Sequence, residues 1–229
     1  MRRSLVVSLA VLAIVKSPAM AQTCQGMASF SAGKMQVNAG GRFSSAVNSW
    51  GGGLSYGLPS GLYAGAQVST TSFDGIDQHS LGIGANAGYE MKVGSKANGM
   101  SVCPVASLQL GMGPDDKAND INSSSTDAHF GLALGKQMGA TPQLRIIPTA
   151  GLGLQYSKAK VEDTAPGGTT LEASDTYGLA TLGLGLVFNQ QISVRPSVDI
   201  PLGLDNSDAT FGITVGYNFG STRSVGRRH

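Results

Sequence analysis

The chain has few charged and few aromatic side chains, which make up 13% and 6% of its 229 residues, and it has one Trp and two Cys. Beyond residue 21, no stretch is apolar over the roughly 20 residues that a membrane-spanning helix requires. Lys and Arg form no dense run, so the electrostatic footprint of a nucleic-acid-binding protein is missing. These absences exclude a helical membrane protein and leave no reason to expect nucleic acid as a partner.

Glycine is abundant, with 33 residues, and it takes part in an alternating pattern. In residues 210–219, large apolar side chains occupy the odd positions, and Thr, Gly or Asn the even ones. Because successive side chains of a strand point to opposite faces, this run predicts a strand with one apolar face and one small, polar face. The pattern recurs about ten times, at residues 35–43, 49–58, 62–69, 81–91, 102–112, 130–137, 144–157, 182–188, 192–203 and 210–219.

Strands of this kind are typical of a β-barrel in a bacterial outer membrane, where the apolar face meets lipid. A soluble β-sandwich would place Lys, Glu and Asp on its solvated face, and a fibrous repeat protein would show a fixed repeat. We therefore predict a closed, antiparallel, up-and-down transmembrane β-barrel of ten strands, or of eight if the first pair lies outside the wall. Pro104, Pro148 and Pro196 cannot donate to a ladder, so we expect them at strand ends or bulges.

The first 21 residues have the pattern of a secretion signal. Arg2 and Arg3 precede the apolar stretch 5–15, and Ala19-Met20-Ala21 forms a small-x-small cleavage site. Cleavage removes three of the 16 basic residues and no acidic ones, which leaves 13 against 14. We expect four regions: the signal peptide 1–21, a periplasmic segment 22–34, the barrel 35–219 and a periplasmic tail 220–229.

The predicted connections fall into two classes. Short ones at 59–61, 94–99, 139–142 and 189–191 alternate with others that are often longer, at 44–48, 71–78, 113–127, 161–175 and 204–208. Outer-membrane barrels have short periplasmic turns and longer outer loops. Both termini are therefore predicted on the periplasmic side, which requires an even number of strands.

The strands, the secretion signal and the ending Thr210-x-Gly212-x-x-Val215-x-Tyr217 with Phe219 resemble the small bacterial outer-membrane β-barrel superfamily. The resemblance covers roughly residues 35–219 and implies an outer-membrane location with lipid as a partner. The terminal run is similar to the signal read by the barrel-assembly machinery, although members commonly stop at the terminal aromatic residue and this chain continues. Because the superfamily includes adhesins, pores, structural proteins and lipid enzymes, the resemblance does not fix the function.

Acidic residues concentrate in or beside the predicted outer loops. They could form a rim that binds divalent cations or attracts basic surface partners, or they could be ordinary solvated loop residues. Their spacing matches no specific calcium loop, so we predict no metal site and no cofactor. The residues are Asp74, Asp77, Asp115, Asp116, Asp120, Glu162, Asp163, Asp205 and Asp208, with Asp127, Glu172 and Asp175 close by.

Five charged residues have the parity of the barrel interior: Arg42, Glu90, Arg145, Arg195 and Asp199. Enclosed charges must be paired or hydrated. The favoured interpretation is an ion-pair network that fills the interior, and the alternative is a polar constriction for small solutes.

Two further sets of residues could carry a catalytic site and a disulfide. His79-Ser80 and His129 would suit a lipid-modifying hydrolase, but neither His stands in a nucleophile motif, so no catalytic residue is predicted. Cys24 and Cys103 are the two cysteines of an exported chain, and we expect a disulfide between them, with two free thiols as the alternative.

The sequence thus predicts an outer-membrane β-barrel with a structural or surface-interaction role through acidic outer loops. A narrow passive pore is the second hypothesis, and an outer-membrane hydrolase is the third.

Overall fold

A computed structural model describes residues 23–27, 33–58, 61–74, 76–94, 99–113, 121–139, 141, 143–165, 168–204 and 208–219. A short 3-10 helix at Thr23–Gln25 is followed by twelve strands. They are β1 (Met35–Phe43), β2 (Val47–Gly57), β3 (Leu62–Phe73), β4 (Ile76–Tyr89), β5 (Met91–Val93), β6 (Met100–Met112), β7 (Ile121–Gly135), β8 (Met138–Gly139), β9 (Leu144–Asp163), β10 (Thr170–Phe188), β11 (Ile192–Leu202) and β12 (Thr210–Phe219).

Ten of these strands form a closed antiparallel barrel. Each pairs with its neighbours in the order β1-β2-β3-β4-β6-β7-β9-β10-β11-β12, and β12 pairs back with β1, from Met35 opposite Phe219 to Phe43 opposite Phe211. The short strands β5 and β8 add to β6 and β9 outside this ring. The prediction of a ten-stranded up-and-down barrel is therefore confirmed. In the part of the chain that the structure describes, no helix is long and apolar enough to span a membrane.

The predicted loop bounds at 113–127 and 161–175 were wrong, because three strands extend further than expected. β7 begins at Ile121, and β9 and β10 run for 20 and 19 residues and stay paired from Glu162 opposite Thr170 to Leu144 opposite Phe188. These extensions consist mainly of Ser, Thr, Asn, Asp, Glu, Lys and Ala beside a few apolar residues. Their local composition resembles that of a loop, but pairing with the neighbouring strands makes these segments part of the sheet.

Each of the three strand prolines lies where one of its two ladders is interrupted or ends. Pro104 pairs with Leu132 on β7, but the ladder on its other side stops at Val105 and resumes at Val102. Pro148 pairs with β10 just beyond the last β7–β9 pair, and Pro196 pairs with β12 where the β10–β11 register is broken. At each proline, the expected bulge or strand end is thus an interruption or end of one of the two ladders. Proline has no N–H to donate, so it cannot complete both ladders.

The barrel has two different ends. We call the end where β1 begins and β12 finishes the terminal end, and the opposite one the loop end. At the terminal end, Asn189 and Gln190 have φ of 49° and 59° and form a tight turn closed by the Gln191 N–H and the Phe188 carbonyl oxygen, 3.0 Å apart. Such primed turns match the twist of a hairpin.

The two faces of the wall follow the alternation. Large apolar side chains cover the outside, where Leu152 is 62% exposed and Phe211 64%. Small and polar residues face the interior, and among them Gln36, Ser55, Thr149, Ser193 and Asn218 are buried. A protein with its apolar residues outside and its polar residues inside is arranged for a lipid surrounding rather than for water.

Candidate functional site

The interior contains a cavity of about 620 Å³ that runs from the terminal-end segment 24–27 to the loop end of the barrel. Inward-facing glycines leave this space, because they add no side chain to the interior. Its wall carries amides, hydroxyls and four charged residues, among them Asn38, Arg42, Gln67, Asn86, Gln109, Asp127, His129, Gln155, Thr181, Arg195 and Asp199.

Residues Thr23–Met27 lie inside the terminal end of the barrel, and we call them the plug. Cys24 and Cys103 of β6 form a disulfide with a Cα–Cα distance of 6.0 Å, and the two residues are 1% and 0% exposed. The expected disulfide is therefore present. It joins the plug to the inner face of the wall, so residues 23–27 lie within the barrel.

Polar contacts hold the plug on two further sides. The Gln25 amide donates to the Tyr63 hydroxyl of β3 at 2.5 Å, and Tyr63 is only 1% exposed. Thr23 hydrogen-bonds to the carboxylate of Glu90, and this carboxylate also accepts a hydrogen bond from Ser101 at 2.5 Å. The predicted interior charge Glu90 thus lies at the plug, where it links this segment to the wall.

Three inward-facing glycines form the seat of the plug. A methyl group on Gly135 would lie 2.3 Å from the carbonyl oxygen of Thr23, and one on Gly185 would lie 2.0 Å from that of Gly26. A methyl group on Gly216 would lie 2.6 Å from the terminal carbon of Met27. The first two contacts are with backbone atoms, so those positions require glycine for a steric reason.

Arg195 lies between the plug and the cavity. Its Cδ is 3.2 Å from the point where a side chain of Gly26 would begin, and it is also among the residues that line the cavity. Its buried Nε has no hydrogen-bond partner among the described residues. The guanidinium lies close enough to Asp199 and Arg42 to interact with their charges.

A second group of charges lies nearer the loop end. The Arg42 Nη2 is 3.1 Å from the Asp199 Oδ2, and the Thr181 hydroxyl donates to the Asp199 Oδ1 at 2.7 Å. The Asp199 side chain is 9% exposed and the Arg42 side chain 67%. Because Asp199 is held by Thr181 of the neighbouring strand β10 and by Arg42 of β1, and because Arg42 stays hydrated, this pair stabilises the interior without filling it.

Arg145 is not part of this group. It lies at the terminal end of β9, where its guanidinium is within hydrogen-bonding distance of the Gln137 amide, at 2.6 and 2.9 Å. The five predicted interior charges are thus divided among the plug, the cavity wall and a turn. The structure does not bring them together as one network.

The acidic residues are spread more widely than the loop prediction suggested. Asp77 belongs to β4, and Glu162 and Asp163 end β9, because the strands continue into the predicted loops. Asp74 and Asp208 are exposed beyond strand ends, and Ser45 donates a hydrogen bond to Asp208. Asp115, Asp116, Asp120 and Asp205 lie outside the described residues.

Two lysines lie among these acids on the β9–β10 hairpin. Lys158 contacts Glu172 at 2.8 Å and Lys160 contacts Glu162 at 2.9 Å. The hydrogen bond from Lys158 holds the pKa of the exposed Glu172 carboxyl below its usual range. Part of the acidic charge is therefore offset on this hairpin.

The residues that would suit a hydrolase are on different parts of the wall. His79 and Ser80 lie near the loop end of β4, whereas His129 lies on β7, beyond β6. His129 lines the cavity, and the nearby Asp127 accepts a hydrogen bond from Ser157 at 2.7 Å. Among the described residues, no three His, Cys, Asp or Glu side chains form a metal-binding group.

The residues that resemble an assembly signal all lie in β12. Val215, Tyr217 and Phe219 are exposed on the lipid side, and Thr210 and Gly212 face the interior. Tyr217 and Phe219 make an edge-to-face contact with ring centroids 4.7 Å apart. This placement is compatible with recognition from the membrane side, and that role stays a prediction.

Sequence reasoning missed the plug, although the alternation contained a sign of it. Cys103 lies between Val102 and Pro104, which point outward, so its own side chain points into the barrel. A disulfide to Cys103 therefore has to come from inside. The expectation of a disulfide and the assignment of strand faces together predict that Cys24 enters the interior.

A closed barrel with an apolar outside and a polar interior defines an integral protein of a bacterial outer membrane. The chain matches the family described as outer membrane protein beta-barrel domain over residues 56–219, and it belongs to that family. No curated protein matches the chain.

Solved structures match this chain at low sequence identity. The β-domain of the Bordetella autotransporter BrkA is 11% identical, with a TM-score of 0.50, and the match covers 81% of this chain and 98% of that one. The N-terminal barrel domain of Pseudomonas aeruginosa OprF is 16% identical (TM-score 0.39), covering 82% and 98% of the two chains. Yersinia pestis Ail, the attachment invasion locus protein, is 15% identical (TM-score 0.41), covering 82% and 99%.

Proposed function

We propose that this outer-membrane barrel has a structural or surface-interaction role through its loop end and is not an open pore. The observation that carries the proposal is the plug. Residues 23–27 contact β3, β6, β7, β10 and β12 from inside and are tied to the wall by the Cys24–Cys103 disulfide. A solute passing through the barrel would have to displace this segment.

The terminal end faces the periplasm in this proposal, and the loop end faces outward. The tight turn at 189–191 and the brief connection at 58–61 lie at the terminal end, as periplasmic turns do in this class of protein. The extended strands β7, β9 and β10 lie at the other end. They extend the barrel wall beyond its apolar, lipid-facing part, where a surface partner has access.

The chemistry of this outer surface is mainly polar, with an acidic contribution. Asp74, Asp163 and Asp208 are exposed there. Acidic groups at a rim attract cations and basic partners from a distance of about a Debye length, ~8 Å at physiological salt. Divalent cations and basic surface partners are therefore the ligands to test first.

A narrow passive pore is the second candidate, and the 620 Å³ polar cavity is the observation that favours it. An enzyme receives no such support, because His79, Ser80 and His129 are not assembled into one set.

Planar-bilayer recording of the purified protein tests the proposal. We expect no stable conductance steps from the oxidised protein in potassium chloride. Stable steps from oxidised, heat-modifiable protein would contradict the closed barrel and favour the pore. A matched channel-forming barrel in the same bilayers controls for insertion.

A further inference from the structure

We propose that the barrel is a latent channel for small ions and small polar solutes, which the plug closes and the Cys24–Cys103 disulfide keeps closed. This inference rests on the proposed function, since it assumes a barrel that is shut in its oxidised form.

The first support is the extent of the cavity. It is lined at one end by Cys24, Gln25 and Met27 of the plug, and at the other by Ser44 and Thr210, where β1 and β12 meet the loop end. The interior is therefore open along the barrel up to the plug. Within the described part of the chain, the plug is the one segment of backbone that crosses the interior.

The second support is the way in which the plug is held. Among the described residues, its noncovalent contacts are the hydrogen bond from Gln25 to Tyr63, the side-chain and backbone hydrogen bonds of Thr23 to Glu90, and packing on the seat glycines. The disulfide is the covalent tie. When the two thiols are unjoined, or when a dithiol reduces the disulfide and is itself oxidised to a disulfide, only the noncovalent contacts remain.

The kind of solute follows from the cavity wall. The described lining residues include two arginines, Arg42 and Arg195, and two aspartates, Asp127 and Asp199, so their formal charges balance. The remaining wall combines amides, hydroxyls and glycines with His129 and several small or apolar residues, such as Val47 and Ala106. A channel of this composition conducts potassium and chloride at similar rates and admits small neutral solutes.

Single-channel recording of three proteins tests the proposal: the wild type, C24S/C103S, and the triple variant C24S/C103S/Q25A, which also lacks the Tyr63 hydrogen bond. Folding of each is checked first by heat-modifiable gel mobility. We expect the wild type to be silent and the double variant to open intermittently. The triple variant should raise the open fraction about tenfold or more over the double variant, with a reversal potential near zero in a potassium chloride gradient.

The outcomes separate this inference from the proposed function. If both folded variants stay as silent as the wild type, the wall side chains seal the barrel by themselves and the latent channel is excluded. If the wild type already conducts steadily, the closed barrel itself is excluded. A strongly cation- or anion-selective current from the variants would overturn the solute class inferred from the balanced wall.

Discussion

The carbonyl oxygen of Gly26 lies so close to Gly185 that a methyl group on Gly185 would be 2.0 Å from it. This contact joins the second-last residue of the plug to β10, on the side of the barrel away from Tyr63 of β3. It shows that the plug fits between opposite walls, since a displacement that relieved one contact would press on the other.

The seat can be tested at Gly185. Gly185→Ala should destabilise the barrel by about 1–3 kcal/mol, the usual cost of overpacking, because the plug backbone must move while the disulfide holds it. Gly151→Ala is the matched control, since its methyl group would find neighbours only at 3.6 Å. Urea unfolding in lipid vesicles measures both. Equal stability of the two variants would show that residue 26 does not rest on β10.

The ion pair between Arg42 of β1 and Asp199 of β11 reaches across β12, which lies between these two strands. Arg42 of β1 is opposite Gly212 of β12, and its Cγ would lie 3.8 Å from a side-chain carbon at that glycine. We expect Gly212→Leu to displace Arg42 and to cost about 1 kcal/mol from the pair, as does Arg42→Ala, in addition to any packing cost of the leucine. Combining Gly212→Leu with Arg42→Ala should lower the free energy of unfolding by less than the sum of the two single losses, because both changes remove the same ion pair. Additive losses would mean that Gly212→Leu leaves the contact between Arg42 and Asp199 intact.

The outward face of the wall can be tested at Leu152. This side chain is 62% exposed in a run of outward residues on β9, so Leu152→Arg should cost about 2–4 kcal/mol if it lies near the membrane centre. Gly151→Ser, one residue away on the inner face, should change the free energy of unfolding far less. Normal insertion of Leu152→Arg together with failure of Gly151→Ser would reverse the assigned faces.

Alternation predicted the strands and their faces because a period of two is a local property of the chain. It did not predict how much room each inward glycine has. By alternation alone, Gly153 and Gly151 would accept a serine equally well, but a Cβ at Gly153 would lie 2.6 Å from the Phe130 carbonyl oxygen and from the His129 Nε2. That difference comes from strand pairing and side-chain positions distant in sequence.

The plug illustrates the same limit for the candidate site. Its contacts join residues 23–27 to Gly185 and Gly216, and nothing in the local sequence around either glycine marks the partner. The cysteines were informative because their chemistry pairs them, and the inward parity of Cys103 then gives the direction. The extent of β9 and β10 was underestimated because the polar residues of their outer halves gain their order from each other.

Orientation can be tested with single cysteines at the two ends. Ala165→Cys lies between β9 and β10, and Val93→Cys lies in β5 at the terminal end, where the valine is 54% exposed. A membrane-impermeant maleimide should label Ala165→Cys on intact cells and label Val93→Cys only after the outer membrane is opened. The opposite order would place the termini outside the cell. A thiol count on each variant confirms that Cys24 and Cys103 remain joined.

The disulfide should stabilise the whole barrel as well as hold the plug. It links residues 79 positions apart, and closing so long a segment restricts the unfolded chain. Non-reducing peptide mapping of protein from the envelope should find Cys24 joined to Cys103. We expect C24S/C103S to lose about 2–4 kcal/mol of unfolding free energy, and the native wild type, in which both cysteines are joined, to take up no alkylating reagent without a reductant. If both thiols are alkylated in native protein without a reductant, the disulfide does not form, and no covalent bond holds residues 23–27 in the barrel.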